Sequence, residues 1–296
     1  MIVPSRTMRA IGMMCLSALC FTLNDTITKF LVPRYDPSFI IVVRSVIAMP
    51  LLMGMAIVLG RDRVRWSSGI KVYALRGAFG LLAAWMYIRG LHTLSVAEAA
   101  VIVFASPLLV TLGSVVFFRE SVGWRKWAAV LVSFAGVVIA IQPGTVTFQP
   151  ASLLILACAF LYASISLTAR FLPPEDNFWT VSFYGAVFAA LFAAPLSFGQ
   201  WTALRIEDVW LFVGAALCAN FGIGLGSMAY RSAPASDLAP FAYSGLIWST
   251  LVTWIVWGSM PGLWTLIGAT VVASSSVFHL LGQRRILAGR PVRQRP

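Results

Sequence analysis

Residues 96–118 read VAEAAVIVFASPLLVTLGSVVFF, an apolar stretch long enough to cross the hydrocarbon core of a bilayer as one helix. Glu98 stands where this helix begins, and Pro107 lies inside it. On either side, charged clusters, prolines and glycines divide the chain into ten such stretches, at about 9–31, 38–59, 70–91, 96–118, 125–142, 150–172, 178–198, 208–230, 236–257 and 262–282. The pattern predicts an all-α integral membrane protein with ten transmembrane helices.

The composition excludes most soluble classes of protein. Of the 296 residues, 59% are hydrophobic and only 11% are charged, and the mean hydropathy is +0.87. So little polar surface cannot cover a soluble globule of this size. The net charge of +12 would suit a nucleic-acid partner, but the basic residues lie between the apolar stretches rather than on one amphipathic face. We therefore expect a lipid bilayer as the partner and no nucleic acid.

The basic residues also predict an orientation. Most Lys and Arg side chains between the stretches fall on the side that holds both termini, and the segment after residue 282 adds five arginines. Cytoplasmic loops carry such an excess of positive charge. We expect a multi-pass protein of the cell inner membrane, a monomer or weak homodimer, with both termini and a basic tail, 283–296, in the cytoplasm.

Few residues offer catalytic or metal-binding chemistry. The four cysteines all lie inside apolar stretches without metal-ligand spacing, and His92 and His279 are isolated from each other. We expect no disulfide, no metal and no cofactor, and a transporter rather than an enzyme. A membrane-embedded enzyme would need a convergent catalytic set, and a channel would need rings of like charge. These two classes remain the alternatives.

The ten stretches fall into two runs of five that match in register. Glu98 takes the same place as Asp237, and Pro33 the same place as Pro174. Five crossings are an odd number, so the second run must insert upside down relative to the first. The sequence predicts two inverted repeats, 9–142 and 150–282. Such repeats are typical of secondary transporters, whose halves rock around a central site.

Several strings resemble the EamA repeat of the drug/metabolite transporter superfamily. In the first run they are Tyr87-Ile88-Arg89-Gly90-Leu91, Ala97-Glu98-Ala99-Ala100, Ser106-Pro107 and Phe118-Arg119-Glu120 with Trp124 and Gly136; in the second, Ala229-Tyr230-Arg231, Ala233-Pro234-Ala235 and Ala239-Pro240-Phe241 with Tyr243. The second run has Gly258-Ser259 where the family commonly has Gly-Glu. The resemblance implies alternating-access transport of a small organic metabolite. Amino-acid-like, riboflavin-like and other aromatic-bodied solutes all remain open, as do import and export.

Ionisable residues inside the apolar stretches are the first candidates for binding or coupling, because such charges are costly in a bilayer. Asp25 and Lys29 lie four residues apart on helix 1 and can pair, although Lys29 can also extend to the membrane surface. Arg44 in helix 2 suits a carboxylate, either that of Asp25 or that of a substrate. Glu98 and Asp237 either cap helices 4 and 9 or couple transport to protons or a counter-substrate.

Aromatic and small polar side chains are the candidates for the substrate cavity. The resemblance places helices 3, 4, 7, 8 and 9 around that cavity, and we expect about half of their aromatic rings to line it. The candidates are Asn24, Trp85, Tyr87, Phe104, Ser106, Tyr184, Asn220, Tyr230, Phe241, Tyr243 and Trp248. Pro107 and Pro240 should interrupt helices 4 and 9. Asp25 and Arg44 align with Ser166 and Gly185, so we expect the chemistry where the two repeats differ.

Overall fold

The structure is a computed structural model that describes residues 5–59, 64–90, 92–94, 102–141, 150–258 and 262–288. Within these ranges all regular structure is helical, which confirms the all-α prediction. The helices are α1 (Ser5–Leu31), α2 (Pro37–Leu59), α3 (Ile70–Gly90), α4 (Ser106–Phe118), α5 (Trp124–Ile141), α6 (Pro150–Thr168), α7 (Phe178–Leu196), α8 (Val209–Ser232), α9 (Ala235–Ala242), α10 (Ser244–Trp257) and α11 (Leu263–Ala288). Each predicted stretch contains helix, and the ninth contains both α9 and α10.

Among the described residues, six helical segments are long and apolar enough to cross a membrane, judged by length and composition. They are Arg6–Leu31, Pro37–Val58, Ala151–Phe171, Phe178–Leu196, Ile206–Ser232 and Ala235–Trp257. Helix α3 carries Lys71, Arg76 and Arg89, and the described part of helix 4 is short. Helix α11 continues to Ala288, so residues 283–288 of the predicted tail are helical.

Both predicted breaks are present. Residues 104 and 105 form a turn, and α4 begins at Ser106 with Pro107 in its first turn. Pro suits that position because the first turn needs no N–H donor. In the ninth stretch, α9 contains Pro240 and ends at Ala242, and α10 begins at Ser244. Tyr243, at the break between them, is fully buried.

The helix contacts show the symmetry of the two repeats. By the register of the two repeats, α6, α7, α8, α10 and α11 are the second copies of α1, α2, α3, α4 and α5. Helix α1 packs on α8 as α6 packs on α3, and α2 packs on α8 as α7 packs on α3. In two contacts, α2 with α7 and α5 with α11, the two helices are copies of each other, so the symmetry maps the contact onto itself. This is the pattern of two repeats around a pseudo-two-fold axis.

Apolar cores lie at both ends of the bundle. The end at which α1 begins, called here the N-terminal end, contains Ile11, Met14, Tyr73, Leu238 and Phe241 with their neighbours. The opposite end, called here the far end, contains residues 31, 32, 35 and 39–42 and Phe212. Three smaller apolar clusters pack the remaining helix contacts, and one of them includes Tyr87.

Replacing Gly77 with alanine should lower the apparent Tm. Helices α3 and α7 are in close contact there: an added Cβ would overlap Phe188 Cβ and lie 3.4 Å from Phe188 Cα. Overpacking of this kind costs about 1–3 kcal/mol, more than the roughly 1 kcal/mol that alanine adds to a helix. Gly80→Ala is the matched control, because its nearest neighbour is Ile165 Cδ1 at 4.0 Å. Thermal unfolding in detergent measures both, and equal Tm values would contradict the close approach.

Candidate functional site

A small polar cavity lies between α1, α2, α3 and α6. Its free volume is about 20 Å³, enough for about one water molecule. The lining residues are Asn24, Asp25 and Thr28 from α1, Arg44 from α2, Ala84, Tyr87 and Ile88 from α3, and Tyr162 from α6. Residues 24, 25 and 28 share one face of α1, and residues 84, 87 and 88 share one face of α3, since both sets follow the helical repeat.

Hydrogen bonds connect the charged groups of this cavity. Tyr87 Oη donates to Asp25 Oδ2 at 3.3 Å, and Asn24 Nδ2 donates to Asp25 Oδ1 at 3.1 Å. Arg44 Nη1 donates to Asn24 Oδ1 at 3.0 Å. The amide of Asn24 therefore bridges the guanidinium and the carboxylate. Reversing the amide would break both bonds, which fixes its orientation.

The cavity thus contains one cation and one anion that contact a shared amide rather than each other. Asp25 and Arg44 are both partly exposed, whereas Asn24 is buried. Thr28 Oγ1 is buried in the same lining and has no hydrogen-bond partner among the described residues. A guanidinium presents a planar fork to carboxylates, and a carboxylate accepts from ammonium groups. The charges of the cavity are therefore complementary to a group that carries both an ammonium and a carboxylate.

Lys29 does not join this cavity. Its Nζ lies 5.8 Å from the centroid of the Trp257 ring, and its side chain is exposed. No ion pair between Lys29 and Asp25 occurs in the described part of the chain. The pairing of Asp25 with Lys29 is wrong for this structure, because the amide and phenol bonds occupy Asp25 while Lys29 extends to the surface.

Trp85 lies on a different face of α3 from Tyr87. It lines a second cavity, at the far end, and the guanidinium of Arg89 lies 5.1 Å from its ring centroid. Two residues along a helix differ by more than half a turn, so Trp85 and Tyr87 cannot face the same space. The structure thus separates two aromatic candidates that the sequence placed together.

The structure does not bring most other aromatic candidates to the polar cavity. Tyr184 stacks on Tyr73 at the N-terminal end, with 4.8 Å between ring centroids, and Tyr230 and Phe241 belong to the same apolar core. Phe104 and Tyr243 pack against each other at 5.9 Å. Trp248 Nε1 donates to the carbonyl of Cys15 at 3.1 Å.

The remaining polar candidates also have other neighbours. Asn220 Nδ2 donates to the carbonyl of Ala216 in its own helix at 2.8 Å, and Ser106 is buried at the start of α4. Asp237 lies in the first turn of α9, and its Oδ1 is 2.6 Å from Lys126 Nζ. Glu98 lies outside the described residues.

Arg76 is a residue whose importance the sequence reasoning missed. A position near the start of α3 would let the side chain reach the membrane surface, but Arg76 is only 7% exposed. Its guanidinium donates to the carbonyl of Ile165 at 2.5 Å and to Ser227 Oγ at 2.6 Å. Arg76 and Tyr87 share one face of α3, separated along its axis by about 16 Å. Arg76 therefore ties α3, α6 and α8 together on the N-terminal side of the polar cavity.

A second set of polar contacts closes the N-terminal end. Asp176 accepts from Ser67 Oγ at 2.5 Å and from Tyr73 Oη at 2.8 Å. Arg231 donates to the carbonyls of Pro173 and Pro174, both at 2.9 Å. These contacts join the loop after α2 and the end of α8 to the loop after α6.

Glu120 and Arg170 form an ion pair at the same end. Burial alone would raise the pKa of the Glu120 carboxyl, but its hydrogen bond with Arg170 and the positive charge of that residue hold it below the ordinary value. This pair links the loop after α4 to the segment that follows α6. At the far end, Arg34 forms an ion pair with Asp208, with 2.7 Å between Arg34 Nη1 and Asp208 Oδ1.

The comparisons with known proteins agree with this architecture. The family model "EamA-like transporter family" matches residues 8–142 and 149–281. A solved crystal structure superposes with a TM-score of 0.74 at 19% identity, covering 96% of this chain and 99% of that one. This likeness concerns the fold.

Curated relatives are named as transporters. The "S-adenosylmethionine uptake transporter" of Rickettsia bellii is 24% identical over 281 residues, which are 94% of this chain and 95% of the relative. The "Riboflavin transporter" of Vibrio cholerae is 32% identical over 184 residues, 61% of each chain. The chain belongs to the EamA-like transporter family, which confirms the resemblance seen in its sequence and identifies a small-solute transporter rather than an enzyme.

Proposed function

We propose that this protein carries a small metabolite with an amino-acid-like, zwitterionic end across the inner membrane by alternating access. The observation that supports this substrate class is the arrangement of Asp25 and Arg44 on opposite sides of Asn24 in one cavity. The ammonium group of the solute would meet Asp25, and its carboxylate would meet Arg44. Thr28 Oγ1 and Tyr87 Oη are further hydrogen-bonding groups at the same place.

The two repeats suggest how the site is exposed to each side in turn. Bonds through Arg76, Asp176 and Arg231 join the helices at the N-terminal end. The excess of basic residues on that side supports a cytoplasmic orientation for it. The 20 Å³ cavity must widen to hold a metabolite. Rocking of α1 to α5 against α6 to α11 would widen it, because the pseudo-two-fold contacts allow each end to close in turn.

The names of the relatives suggest two candidate substrate classes. S-adenosylmethionine carries an α-ammonium and an α-carboxylate, which match the charges of the cavity, and the Rickettsia relative aligns over nearly the whole chain. Riboflavin carries neither group. It is the second candidate because the Vibrio relative has the higher identity over its shorter match.

Counterflow into proteoliposomes tests the proposal. Vesicles preloaded with unlabelled S-adenosylmethionine should accumulate labelled S-adenosylmethionine saturably, and protein-free vesicles should not. A competitor that lacks the carboxylate, or whose amino group is acetylated, should compete roughly tenfold less well, because it leaves a charged group of the cavity unpaired. Saturable riboflavin counterflow that intact amino-acid-headed solutes do not inhibit would overturn the zwitterion proposal.

Coupling to protons is a separate proposal that rests on Asp25. The bound ammonium and a proton would compete for the same carboxylate, so the binding of one displaces the other. The same vesicles with an imposed pH gradient and no counter-substrate measure this coupling. Uptake that is unchanged by the gradient would exclude proton coupling and leave exchange.

A further inference from the structure

The second cavity lies at the far end of the bundle, between α2, α3 and the segment after α7. Its volume is about 410 Å³, and its lining includes Asp36, Leu82, Trp85, Arg89, Leu196 and Gln200. On α3, Leu82, Trp85 and Arg89 lie on a different face from Tyr87 and Ala84. The second cavity is therefore separate from the polar cavity.

One wall of this cavity is open to the lipid side. Leu82 is 44% exposed and Leu196 54% exposed, although both lie in helices of a membrane protein. Phe198 and Trp201, which follow α7, are exposed at the same end, as aromatic residues at the level of lipid headgroups are. The apolar wall therefore runs from the hydrocarbon region to the headgroup region.

The polar part of the cavity carries one cation and one anion. Arg89 lies over the Trp85 ring with its side chain 50% exposed, and Asp36 is 21% exposed. Arg89 Nη2 and Asp36 Oδ2 are 4.0 Å apart, well beyond the 2.7–2.9 Å of a charge-assisted hydrogen bond. Asp36 Oδ1 accepts from the backbone N–H of Ser38 at 2.8 Å, which fixes the carboxylate. Both charges can therefore bind a ligand as well as each other.

We propose that this groove binds phosphatidylethanolamine. The lipid phosphate would lie on the Arg89 guanidinium, the primary ammonium would donate to Asp36 Oδ2, and an acyl chain would follow Leu82 and Leu196. Phosphatidylcholine has no N–H to donate to Asp36, and phosphatidylglycerol has no cation to meet it. The charge pair thus selects among lipids that share a phosphate. This inference is independent of the substrate proposed above.

Native mass spectrometry of the full-length, delipidated protein tests the site. With equal amounts of phosphatidylethanolamine, phosphatidylcholine and phosphatidylglycerol, the first should dominate the bound lipid. Arg89→Gln should lower its occupancy roughly fivefold, and Asp36→Asn should remove the preference over phosphatidylcholine while keeping the oxygen that accepts from Ser38. Arg205→Gln is the control, because Arg205 is exposed at the same end and does not line the groove.

Several results would overturn the proposal. One is equal retention of the three lipids by the unaltered protein. Another is the same loss of lipid in Arg205→Gln as in Arg89→Gln. Melting curves of the variants show whether a loss reflects unfolding, and Leu196→Trp, which fills the apolar wall without touching either charge, should displace the lipid independently. Displacement of bound lipid by a water-soluble substrate would instead identify the groove as an entry vestibule.

Discussion

Asp25→Asn and Arg44→Gln should each lower saturable transport roughly 30-fold or more, without loss of folded protein. Removing one member of a hydrogen-bonded charged set in a binding site typically costs about 2–5 kcal/mol. Asparagine keeps the shape of Asp25 and can still accept from Tyr87 Oη, so the change removes charge rather than packing. Initial rates of labelled solute uptake in proteoliposomes measure the effect.

The two variants should also differ in what they recognise. Asp25→Asn should make uptake insensitive to acetylation of the solute's amino group, because the ammonium no longer has its partner. Arg44→Gln should make uptake insensitive to loss of the carboxylate. The double variant should lose less than the sum of the single losses, since Asn24 connects both groups.

Lys29→Gln is the matched control for these variants. Lys29 lies one turn from Asp25 on α1, but its ammonium lies over Trp257 and outside the polar cavity. Its replacement should change uptake by less than about twofold, as for an exposed cation. Transport that depends on Lys29 and is unaffected by Asp25→Asn would contradict the site.

The sequence identified two charged residues of the polar cavity because apolar helices rarely tolerate such residues, although the resemblance placed the cavity among helices 3, 4, 7, 8 and 9 rather than between α1, α2, α3 and α6. Asp25 and Arg44 were candidates because a charge inside a bilayer is costly, and both line the cavity. The symmetry argument led to the same pair, because the second repeat has Ser166 and Gly185 at the matching positions. Residues that are exceptional for their surroundings can thus be found without a structure.

Residue type alone could not assign the aromatic side chains. Tyr87, Trp85 and Tyr243 all lie in apolar surroundings, yet one lines the polar cavity, one lines the far groove and one is fully buried. Cavity, core and lipid faces of a membrane helix are all apolar, so hydrophobic periodicity does not distinguish them. Tyr162 was missed for this reason, since only the packing of α6 on α3 brings it to the cavity.

Arg76 was not among the candidates, because its distance from the helix end was the only guide that the sequence offered. A position near the start of α3 permits a long side chain to reach the surface. The structure instead gives it acceptors on α6 and α8, which lie far away in the sequence. Contacts between the two repeats are the part of the fold that spacing within one helix does not reveal.

Arg76→Gln should open the N-terminal end and slow transport roughly tenfold. The guanidinium bridges the Ile165 carbonyl and Ser227 Oγ, and glutamine is too short and has too few donors to join both. The lost bonds favour the state in which α3, α6 and α8 separate, and each 1.4 kcal/mol of bias changes the populations of the two states by about tenfold. Transport slows because a cycle needs both states.

Hydrogen–deuterium exchange distinguishes this closing role from simple packing. In Arg76→Gln, backbone exchange of residues 165–177 and 227–232 should become faster, whereas exchange around the polar cavity, at residues 24–28, should not change. Arg76→Lys keeps the charge but has no planar fork, so its exchange rates should lie between those of the unaltered chain and those of Arg76→Gln. Lys71→Gln, on the same helix but exposed, is the control and should behave like the unaltered chain. If Arg76→Gln exchanges and transports like the unaltered chain, the Arg76 bonds stabilise packing and do not set which end is closed.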